Sequence, residues 1–308
     1  MNIKNLTRRS FNTLAAASVP YFQSNISESG EITKIKTREV PSTGEQIPII
    51  GLGTSSSFMV DPSDRNGIKQ RKEVIKTLLK YGGNFIDTAP MYRGSEKLVG
   101  NICYELDITN KAFLATKVLQ SDELKGELEL RNSFKFLKKK TIDLIQVHNL
   151  VDIERKLKVL SEWKKNGKYR YIGVTHWRPN IQEALIPIIK SEQVDFVQFQ
   201  YNIEEREAEK RLLPLAQEHG IATIINVPFG RGKLFRYTKG EPLPEWATSF
   251  AATWGEFYLK YILSHQAVTC VIPATSKPYH MQENALAGMS RLPDPKENKK
   301  MIAYMKDI

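Results

Sequence analysis

Cysteine is scarce in this sequence, which has only Cys103 and Cys270 among 308 residues. Two cysteines are too few for the disulfide framework on which small secreted domains depend. Cys103 also falls on the apolar side of a helical pattern with Leu98, Val99 and Ile102. We therefore expect buried thiols rather than a disulfide scaffold.

Several catalytic signatures are missing as well. The chain has no Gly-x-Ser-x-Gly elbow and no P-loop, which argues against hydrolase and phosphotransferase chemistry. The histidines are far apart, and none pairs with a cysteine or carboxylate at ligand spacing: His148, His176, His219, His265 and His280. We predict no metal site.

The positive charge has no concentrated patch. The formal net charge is +11, but the lysines and arginines are dispersed in short groups such as residues 138–140 and 299–300. No basic helix or aromatic stacking pattern accompanies them, so we do not predict nucleic-acid binding. A phosphate-bearing cofactor would account for a few of these charges, and a solvated face accounts for the rest.

The first residues differ in composition from the remainder. Arg8-Arg9 is followed by Phe11 and by a short Ala-containing apolar stretch at residues 14–19, the order of a twin-arginine export signal. That stretch is too short to span a bilayer. We expect residues 1–35 to be a signal and linker that give folded export to the periplasm, with membrane contact through the signal alone. A disordered tail on a cytoplasmic protein is the alternative, because no clear cleavage site precedes Pro20.

Alternating strand and helix patterns fill the rest of the chain. Strands are predicted at residues 49–51, 84–87, 113–117, 143–148, 171–175, 196–200, 222–227 and 270–274. Helical patterns lie between them, and glycine follows most of these patterns. We predict parallel βα units that close a (β/α)8 TIM barrel over residues 36–308, with a β-hairpin at residues 36–46 capping its bottom.

A doubly wound sheet is the competing architecture. It would normally place G-x-G-x-x-G between its first strand and helix. Here Gly51-Leu52-Gly53-Thr54 is followed by three serines, so the third glycine is missing. The barrel is therefore favoured.

Polar residues end three of the predicted strands. Asp87, Lys117 and His148 each share a strand face with apolar residues that precede them at alternate positions, and Tyr92 follows Asp87 in the next loop. If those faces point into a barrel, the four side chains meet at one rim. Active sites of such barrels lie at this end.

These motifs resemble those of the aldo-keto reductases. The resemblance covers roughly residues 38–290 and rests on the order Asp87-Thr88-Ala89 with Tyr92, then Thr116-Lys117, then Gln146-Val147-His148. It implies a barrel enzyme that transfers a hydride between nicotinamide and a small aldehyde or ketone. NADP is the expected cofactor, NAD is not excluded, and the oligomeric state is left open.

The four polar residues suit that chemistry. A tyrosine has a reference pKa near ~10, too high to protonate an alkoxide well unless its anion is stabilised by a cation. Lys117 is the candidate cation, Asp87 the carboxylate that holds it, and Tyr92 the general acid. His148 would orient the carbonyl oxygen and share in the proton transfer, and the sequence does not specify its tautomer.

The resemblance also implies where the cofactor binds. It assigns the following residues to this role: Gly53, Thr54, Asp87, Thr175, His176, Gln198, Pro228, Phe229, Gly230, Thr275, Ser276, Lys277, His280, Glu283 and Asn284. The nicotinamide amide is placed near Thr175, His176 and Gln198. The adenosine phosphate is placed near Thr275, Ser276 and Lys277.

The chain departs from the family at three places. The family usually has Ser-Asn after Ile-Gly-Val, whereas this chain has Thr175-His176, which keep a hydroxyl and a group that can hydrogen-bond an amide. Many members carry a tyrosine that stacks on the nicotinamide, and this chain reads Asn226-Val227-Pro228-Phe229-Gly230 instead. A 2′-phosphate is best held by Lys and Arg, whereas Ala274 and His280 stand at the matching positions. We expect a differently held nicotinamide, and a catalytically degenerate nucleotide-binding sensor or accessory protein is the alternative function.

The substrate pocket is built from loops and the C-terminal tail. The loop after His148 is short, so we expect a shallow, open pocket. Apolar walls are predicted from four aromatic residues: Phe58, Tyr92, Trp177 and Phe229. They favour a small or planar carbonyl.

Overall fold

A computed structural model describes residues 34–308, apart from the side chains of residues 179 and 181. Residues 1–33 lie outside the described residues, and with them the predicted twin-arginine segment. Residues 34–308 cluster as one unit. The boundary between residues 35 and 36 stays a prediction.

The described residues contain ten strands and ten α-helices. The strands are β1 (Thr37–Val40), β2 (Glu45–Pro48), β3 (Leu52–Gly53), β4 (Phe85–Asp87), β5 (Phe113–Val118), β6 (Ile142–His148), β7 (Tyr169–His176), β8 (Phe196–Gln200), β9 (Ala222–Asn226) and β10 (Cys270–Val271). The helices are α1 (Arg65–Lys80), α2 (Ser95–Glu105), α3 (Glu123–Leu137), α4 (Ile153–Lys165), α5 (Ile186–Lys190), α6 (Leu212–Glu218), α7 (Lys233–Tyr237), α8 (Trp254–Leu263), α9 (Pro278–Ala287) and α10 (Pro295–Asp307). No helix in this part of the chain is both long and apolar enough to cross a membrane.

Strands β3 to β10 form one parallel sheet in sequence order. Bridges from Ile50 to Val271 and from Gly53 to Ala274 join its first and last strands, which closes the barrel. Gly53 is needed there, because a Cβ at this position would lie 2.7 Å from the Ile272 carbonyl oxygen. The predicted (β/α)8 barrel is confirmed, although the first strand lies at residues 52–53 rather than 49–51.

The barrel interior is filled by the strand side chains that point inward. Its cluster of buried side chains includes Phe85, Phe113, Leu144 and Tyr171 at neighbouring strand positions. The rings of Phe85 and Phe113 stack with centroids 4.7 Å apart. Because side chains alternate along a strand, the polar residues two or four positions further on also point inward, nearer the C-terminal rim.

The N-terminal hairpin packs against the opposite end of the barrel. Strands β1 and β2 pair antiparallel, and Val40 and Ile47 belong to the interior cluster. Glu45 accepts hydrogen bonds from Arg170 and from the Tyr171 hydroxyl, both at 2.5 Å. The predicted hairpin at the barrel bottom agrees with this arrangement.

Both cysteines are buried free thiols, as predicted. Cys103 packs in the layer between strands and helices, and Cys270 packs inside the barrel. Burial raises the pKa of Cys103 to about 12 and also raises that of Cys270. A buried thiol of raised pKa forms little thiolate, so neither side chain is a reactive nucleophile.

Candidate active site

A buried ion pair lies at the C-terminal end of β4 and β5. The Lys117 Nζ atom donates to Asp87 Oδ2 at 2.6 Å and to the Thr88 carbonyl oxygen at 2.9 Å. Both side chains are almost fully buried. Attraction to Asp87 and Tyr92 outweighs the effect of burial, so the pKa of Lys117 is raised and its ammonium stays charged.

Two glutamine side chains hold the other oxygen of this carboxylate. Gln146 Nε2 donates to Asp87 Oδ1 at 3.2 Å, and Gln198 Nε2 donates to the same atom at 3.0 Å. Thr175 Oγ1 in turn donates to Gln198 Oε1 at 2.8 Å. This network supplies hydrogen bonds to the second carboxylate oxygen. A buried charge needs such partners, because it has lost those that water would provide.

Tyr92 sits in the loop between β4 and α2. Its backbone is held by hydrogen bonds to Ala89 and from Ser95, of 3.0 and 2.9 Å. The chain then turns through Arg93 and Gly94, which have φ of 37° and 83°, before α2 begins. These contacts place the tyrosine ring 5.3 Å from Lys117 Nζ, measured to the ring centroid.

The Tyr92 hydroxyl is a buried acid beside a cation. Burial raises its pKa, and the neighbouring Asp87 adds to that rise, whereas the charge of Lys117 acts to lower it. Hydrogen bonds with Lys117 and Ser55 act in the same lowering direction. The phenol is therefore protonated at neutral pH, and the group that stabilises its anion is already in contact.

His148 ends β6 beside this tyrosine. The two rings are perpendicular with centroids 6.4 Å apart. Burial, with the charge of Lys117 as the next cause, lowers the pKa of His148 to about 3. The imidazole is thus neutral at pH 7 and can donate one N–H to an oxygen, while its Nδ1 atom is buried without a partner.

A cavity of about 740 Å³ opens above these residues. Tyr92, His148 and Asp87 form part of its floor, and its walls include apolar side chains: Met59, Met91, Trp177, Phe229 and Phe235. The prediction that Phe58 forms a wall is wrong, because this side chain is fully buried in the core between strands and helices. Sequence reasoning missed Ser55, Met59, Asn149, Asn226 and Arg231, which all line the cavity.

The predicted nicotinamide residues divide into two groups. Those that line the cavity are Gly53, Asp87, Thr175, Gln198, Pro228 and Phe229. Thr54 is fully buried, and its hydroxyl donates to the Asp87 carbonyl oxygen at 2.9 Å. His176 is also buried, and its Nδ1 accepts from the Arg178 amide at 3.1 Å. Gly230 is half-buried in the loop after β9, between Phe229 and Arg231, which both line the cavity.

The predicted adenosine residues gather around the N-terminus of α9. Thr275, Ser276 and Lys277 precede this helix, and the Lys277 amide donates to Thr275 Oγ1 at 3.0 Å. The others lie on the helix itself: His280, Glu283 and Asn284. The cavity wall reaches Ala274, one residue before this group, so the group continues the edge of the cavity. A helix N-terminus favours a phosphate electrostatically.

The loop after β9 has an unusual backbone. Val227 has a φ of 50°, a conformation that a β-branched residue rarely adopts. Arg231 has a φ of 56° between Gly230 and Gly232, and its guanidinium stacks 4.2 Å from the Trp177 ring centroid. Such strain persists only where surrounding contacts hold it, and it is common at ligand sites.

The fold and the rim together define a class of protein: a (β/α)8 barrel with a lysine–aspartate pair beneath a tyrosine and a neutral histidine. A sequence model of the aldo/keto reductase family matches residues 49–301. The chain therefore belongs to the aldo/keto reductase family, whose members are oxidoreductases. The family predicted from the motifs is confirmed.

Individual relatives agree with this assignment. The chain is 31% identical over 212 residues to the aldo-keto reductase YhdN of Bacillus subtilis, a match that covers 63% of this chain and 62% of that protein. It is 26% identical over 239 residues to the methylglyoxal reductase DkgB of Escherichia coli O157:H7, covering 75% and 86%.

Solved structures share the fold. An aldo-keto reductase from Klebsiella pneumoniae in complex with NADPH superposes with a TM-score of 0.74 at 21% identity, covering 89% of this chain and 95% of that one. The thermostable aldo-keto reductase Tm1743, in complex with the inhibitor epalrestat, gives a TM-score of 0.71 at 28% identity, covering 87% and 98%.

Proposed function

We propose that this protein is an NADPH-dependent oxidoreductase that interconverts a small aldehyde or ketone and its alcohol, with Tyr92 as the general acid. The observation that carries the proposal is the buried Lys117–Asp87 pair in contact with a protonated tyrosine at the floor of a cavity. An ammonium held in this position stabilises the anion that the tyrosine leaves behind.

The residues around the cavity fit a nicotinamide dinucleotide. Gln198 and Thr175 offer amide and hydroxyl groups at the cavity floor, where a carboxamide could bind. Thr275, Ser276 and Lys277, at the N-terminus of α9, offer hydroxyls and a positive charge for the 2′-phosphate. A solved relative of the same fold binds NADPH. When bound, the cofactor supplies the hydride.

The protein's own groups handle the proton and the carbonyl oxygen. The neutral His148 donates an N–H to that oxygen and fixes its position above Tyr92. As the carbonyl carbon accepts a hydride, Tyr92 transfers its hydroxyl proton to the oxygen, and the resulting phenolate is stabilised by Lys117. Asp87 holds Lys117 in place through the 2.6 Å hydrogen bond from Nζ to its Oδ2 atom.

The walls of the cavity indicate the substrate. Met59, Met91, Trp177 and Phe235 surround the floor with apolar surface. Polar recognition is therefore concentrated at the reacting carbonyl group, which favours a small or planar carbonyl compound. Because one relative is a methylglyoxal reductase, 2-oxoaldehydes belong among the first compounds to test.

The proposal is tested by NADPH consumption. Purified protein is assayed with a panel of aldehydes, 2-oxoaldehydes, quinones and diketones, with NADH run in parallel. We expect turnover with NADPH, and a loss of about two or more orders of magnitude in Tyr92→Phe, because the general acid is removed. Tight NADPH binding without turnover on any carbonyl would favour a nucleotide-binding sensor or accessory protein instead.

We also propose that the N-terminal segment directs folded export to the periplasm. Arg8-Arg9 with Phe11 and the following apolar stretch support this. Residues 1–35 would be fused to a reporter that must fold before export, with Arg8→Lys and Arg9→Lys together as the control. Export should require the arginine pair, and export that survives the double change would contradict the proposal.

A further inference from the structure

Asn226 is the last residue of β9 and lines the catalytic cavity. It stands where many aldo-keto reductases carry the tyrosine that stacks on the nicotinamide. An asparagine has no aromatic ring, so any interaction it makes with the cofactor must be of another kind. Its Oδ1 atom is buried and has no hydrogen-bond partner. A buried carbonyl oxygen without a donor costs free energy, and such a group is commonly satisfied by a ligand or by water.

The orientation of this amide follows from a chain of hydrogen bonds that begins at Asp87. A carboxylate can only accept, so Gln198 must present its Nε2 to Asp87, at 3.0 Å. Gln198 Oε1 then faces outward and accepts from Thr175 at 2.8 Å. Asn226 Nδ2 donates to the same oxygen at a longer 3.4 Å. Each step therefore fixes the next, and Oδ1 of Asn226 is the acceptor left over.

The cluster of Thr175, Gln198 and Asn226 complements a primary amide. Such an amide presents one acceptor oxygen and two N–H donors. Asn226 Oδ1 offers an acceptor, and the amide nitrogens of Gln198 and Asn226 each carry a second hydrogen that can be donated. The cluster also touches Asp87, which holds the lysine beneath Tyr92, so it lies beside the position of the reaction.

We infer that Asn226 is a positioning residue for the cofactor, and that its Oδ1 accepts an N–H of the nicotinamide carboxamide. This inference rests on the proposed function. In this protein a hydrogen bond from the cofactor to Asn226 would replace the stacking tyrosine. The nicotinamide ring would then be oriented through its carboxamide group instead of by an aromatic side chain. Orientation of the reacting ring against the carbonyl carbon is what such a contact would contribute to the rate.

The test compares two nucleotides that differ in that donor. NADP⁺ carries the carboxamide, whereas its 3-acetylpyridine analogue keeps the carbonyl oxygen and replaces the NH2 by a methyl group. Dissociation constants are measured by quenching of tryptophan fluorescence, so no turnover is needed. Full-length wild type should bind NADP⁺ about five- to tenfold more tightly than the analogue, the effect of one neutral hydrogen bond.

Two substitutions remove the acceptor in different ways. Asn226→Ala leaves a gap, and Asn226→Leu keeps a similar volume without polar atoms. In both variants the preference for NADP⁺ should fall to a ratio of about one, because neither can accept the hydrogen bond. A thermal melt checks that each variant is folded, and the leucine variant remains informative where the alanine variant loses stability.

Asn298→Ala is the matched control. Asn298 lies on α10, outside the residues that line the cavity, and its Oδ1 is also buried without a partner. Its Nδ2 donates to Ser264 Oγ at 2.8 Å, so this variant also loses one buried side-chain amide. This variant should keep the wild-type preference. Retention of the preference in both Asn226 variants, or its loss in Asn298→Ala, would overturn the inference. Failure of the wild type to bind either nucleotide would overturn the proposed function itself.

Discussion

The barrel contains two buried lysine–aspartate pairs, one at each end. Lys117 and Asp87 lie at the C-terminal rim, with Nζ and Oδ2 2.6 Å apart. Lys139 and Asp143 form a closer pair at the start of β6, near the hairpin. All four side chains are almost completely withdrawn from solvent. The two pairs are chemically alike, so their surroundings decide what each does.

The pair near the hairpin is enclosed by other protein groups. Lys139 donates to the Ala112 carbonyl oxygen at 2.7 Å, and Asp143 accepts from the Leu114 amide at 2.8 Å. Arg170 donates to the other Asp143 oxygen at 2.9 Å and links it to the hairpin. Neither residue of this pair lines the catalytic cavity. This pair therefore contributes to structure alone.

The pair at the rim differs in one contact. Lys117 donates to Asp87 and to the Thr88 carbonyl oxygen, and its Nζ atom also lies 5.3 Å from the centroid of the Tyr92 ring. Tyr92 lines the cavity. In the proposed mechanism, a buried ammonium becomes catalytic where it lies beside an acidic group that faces the cavity. Burial and charge pairing alone do not distinguish a catalytic lysine from a structural one.

Replacing each lysine by methionine should separate the two roles most strongly. Removing one partner of a buried pair costs about 3–5 kcal/mol of unfolding free energy, and we expect this loss in both Lys117→Met and Lys139→Met. Turnover per folded molecule should fall by about 10²- to 10⁴-fold in Lys117→Met only. Denaturant titration and NADPH consumption measure the two effects. An equal loss of turnover in both variants would remove the distinction.

The aspartates should differ in the same way but by less. Asp87→Asn keeps the shape of the side chain and weakens its hold on Lys117, so turnover should fall about 10- to 100-fold, the size expected for a hydrogen bond to a charged group. Asp143→Asn should leave turnover per folded molecule unchanged. The ratio of the two turnover numbers is the measurement, and a ratio near one would count against a positioning role for Asp87.

The stability of the protein should also depend on pH through His148 at the rim. Its pKa of about 3 in the folded protein lies below the ordinary value of about 6.5. Between these values the unfolded chain binds a proton that the folded protein does not, so the free energy of unfolding should fall as pH drops from about 6.5 towards 3. His148→Gln should reduce this slope in denaturation curves at pH 7, 6, 5 and 4. An unchanged slope would show that the buried imidazole is not neutral.

The smallest effect on stability is expected for Arg170, which links the pair near the hairpin to the hairpin itself. Arg170 bridges Asp143 and Glu45, but 42% of its side chain is exposed. Solvent screens such a pair, so Arg170→Gln should lower the free energy of unfolding by only about 0–1 kcal/mol and leave turnover as it is. A loss of unfolding free energy comparable to that of Lys139→Met would mean that the exposed Arg170 is needed to stabilise the contacts between Asp143 and the hairpin.

Alternation along the strands made much of this site predictable. The apolar positions of Phe85, Phe113 and Leu144 fix which face points inward, and Asp87, Lys117 and His148 follow on the same faces. That reasoning ends where the strands end, because loop directions depend on backbone angles that sequence patterns do not specify.

The residues that the sequence predicted wrongly or missed lie mostly in the loops after the strands. Phe58 was expected in the pocket, yet Phe58 is buried and Met59 lines the cavity, because the loop after β3 turns its phenylalanine into the core. The left-handed backbone of Val227 and Arg231 could not be foreseen either, since neither residue type favours it. The inward position of Asn226 could have been predicted, because it alternates with the buried Ile224.

The most direct test of this account is a double-mutant cycle at the rim. The single-turnover rate of carbonyl reduction is measured for wild type, Tyr92→Phe, Lys117→Met and the double variant, each with saturating NADPH. If Lys117 acts through the tyrosine hydroxyl, removing the lysine costs little once the hydroxyl is gone, and the double variant is about as slow as Tyr92→Phe alone. Losses that multiply in the double variant would show that the two residues act independently, and would contradict the account.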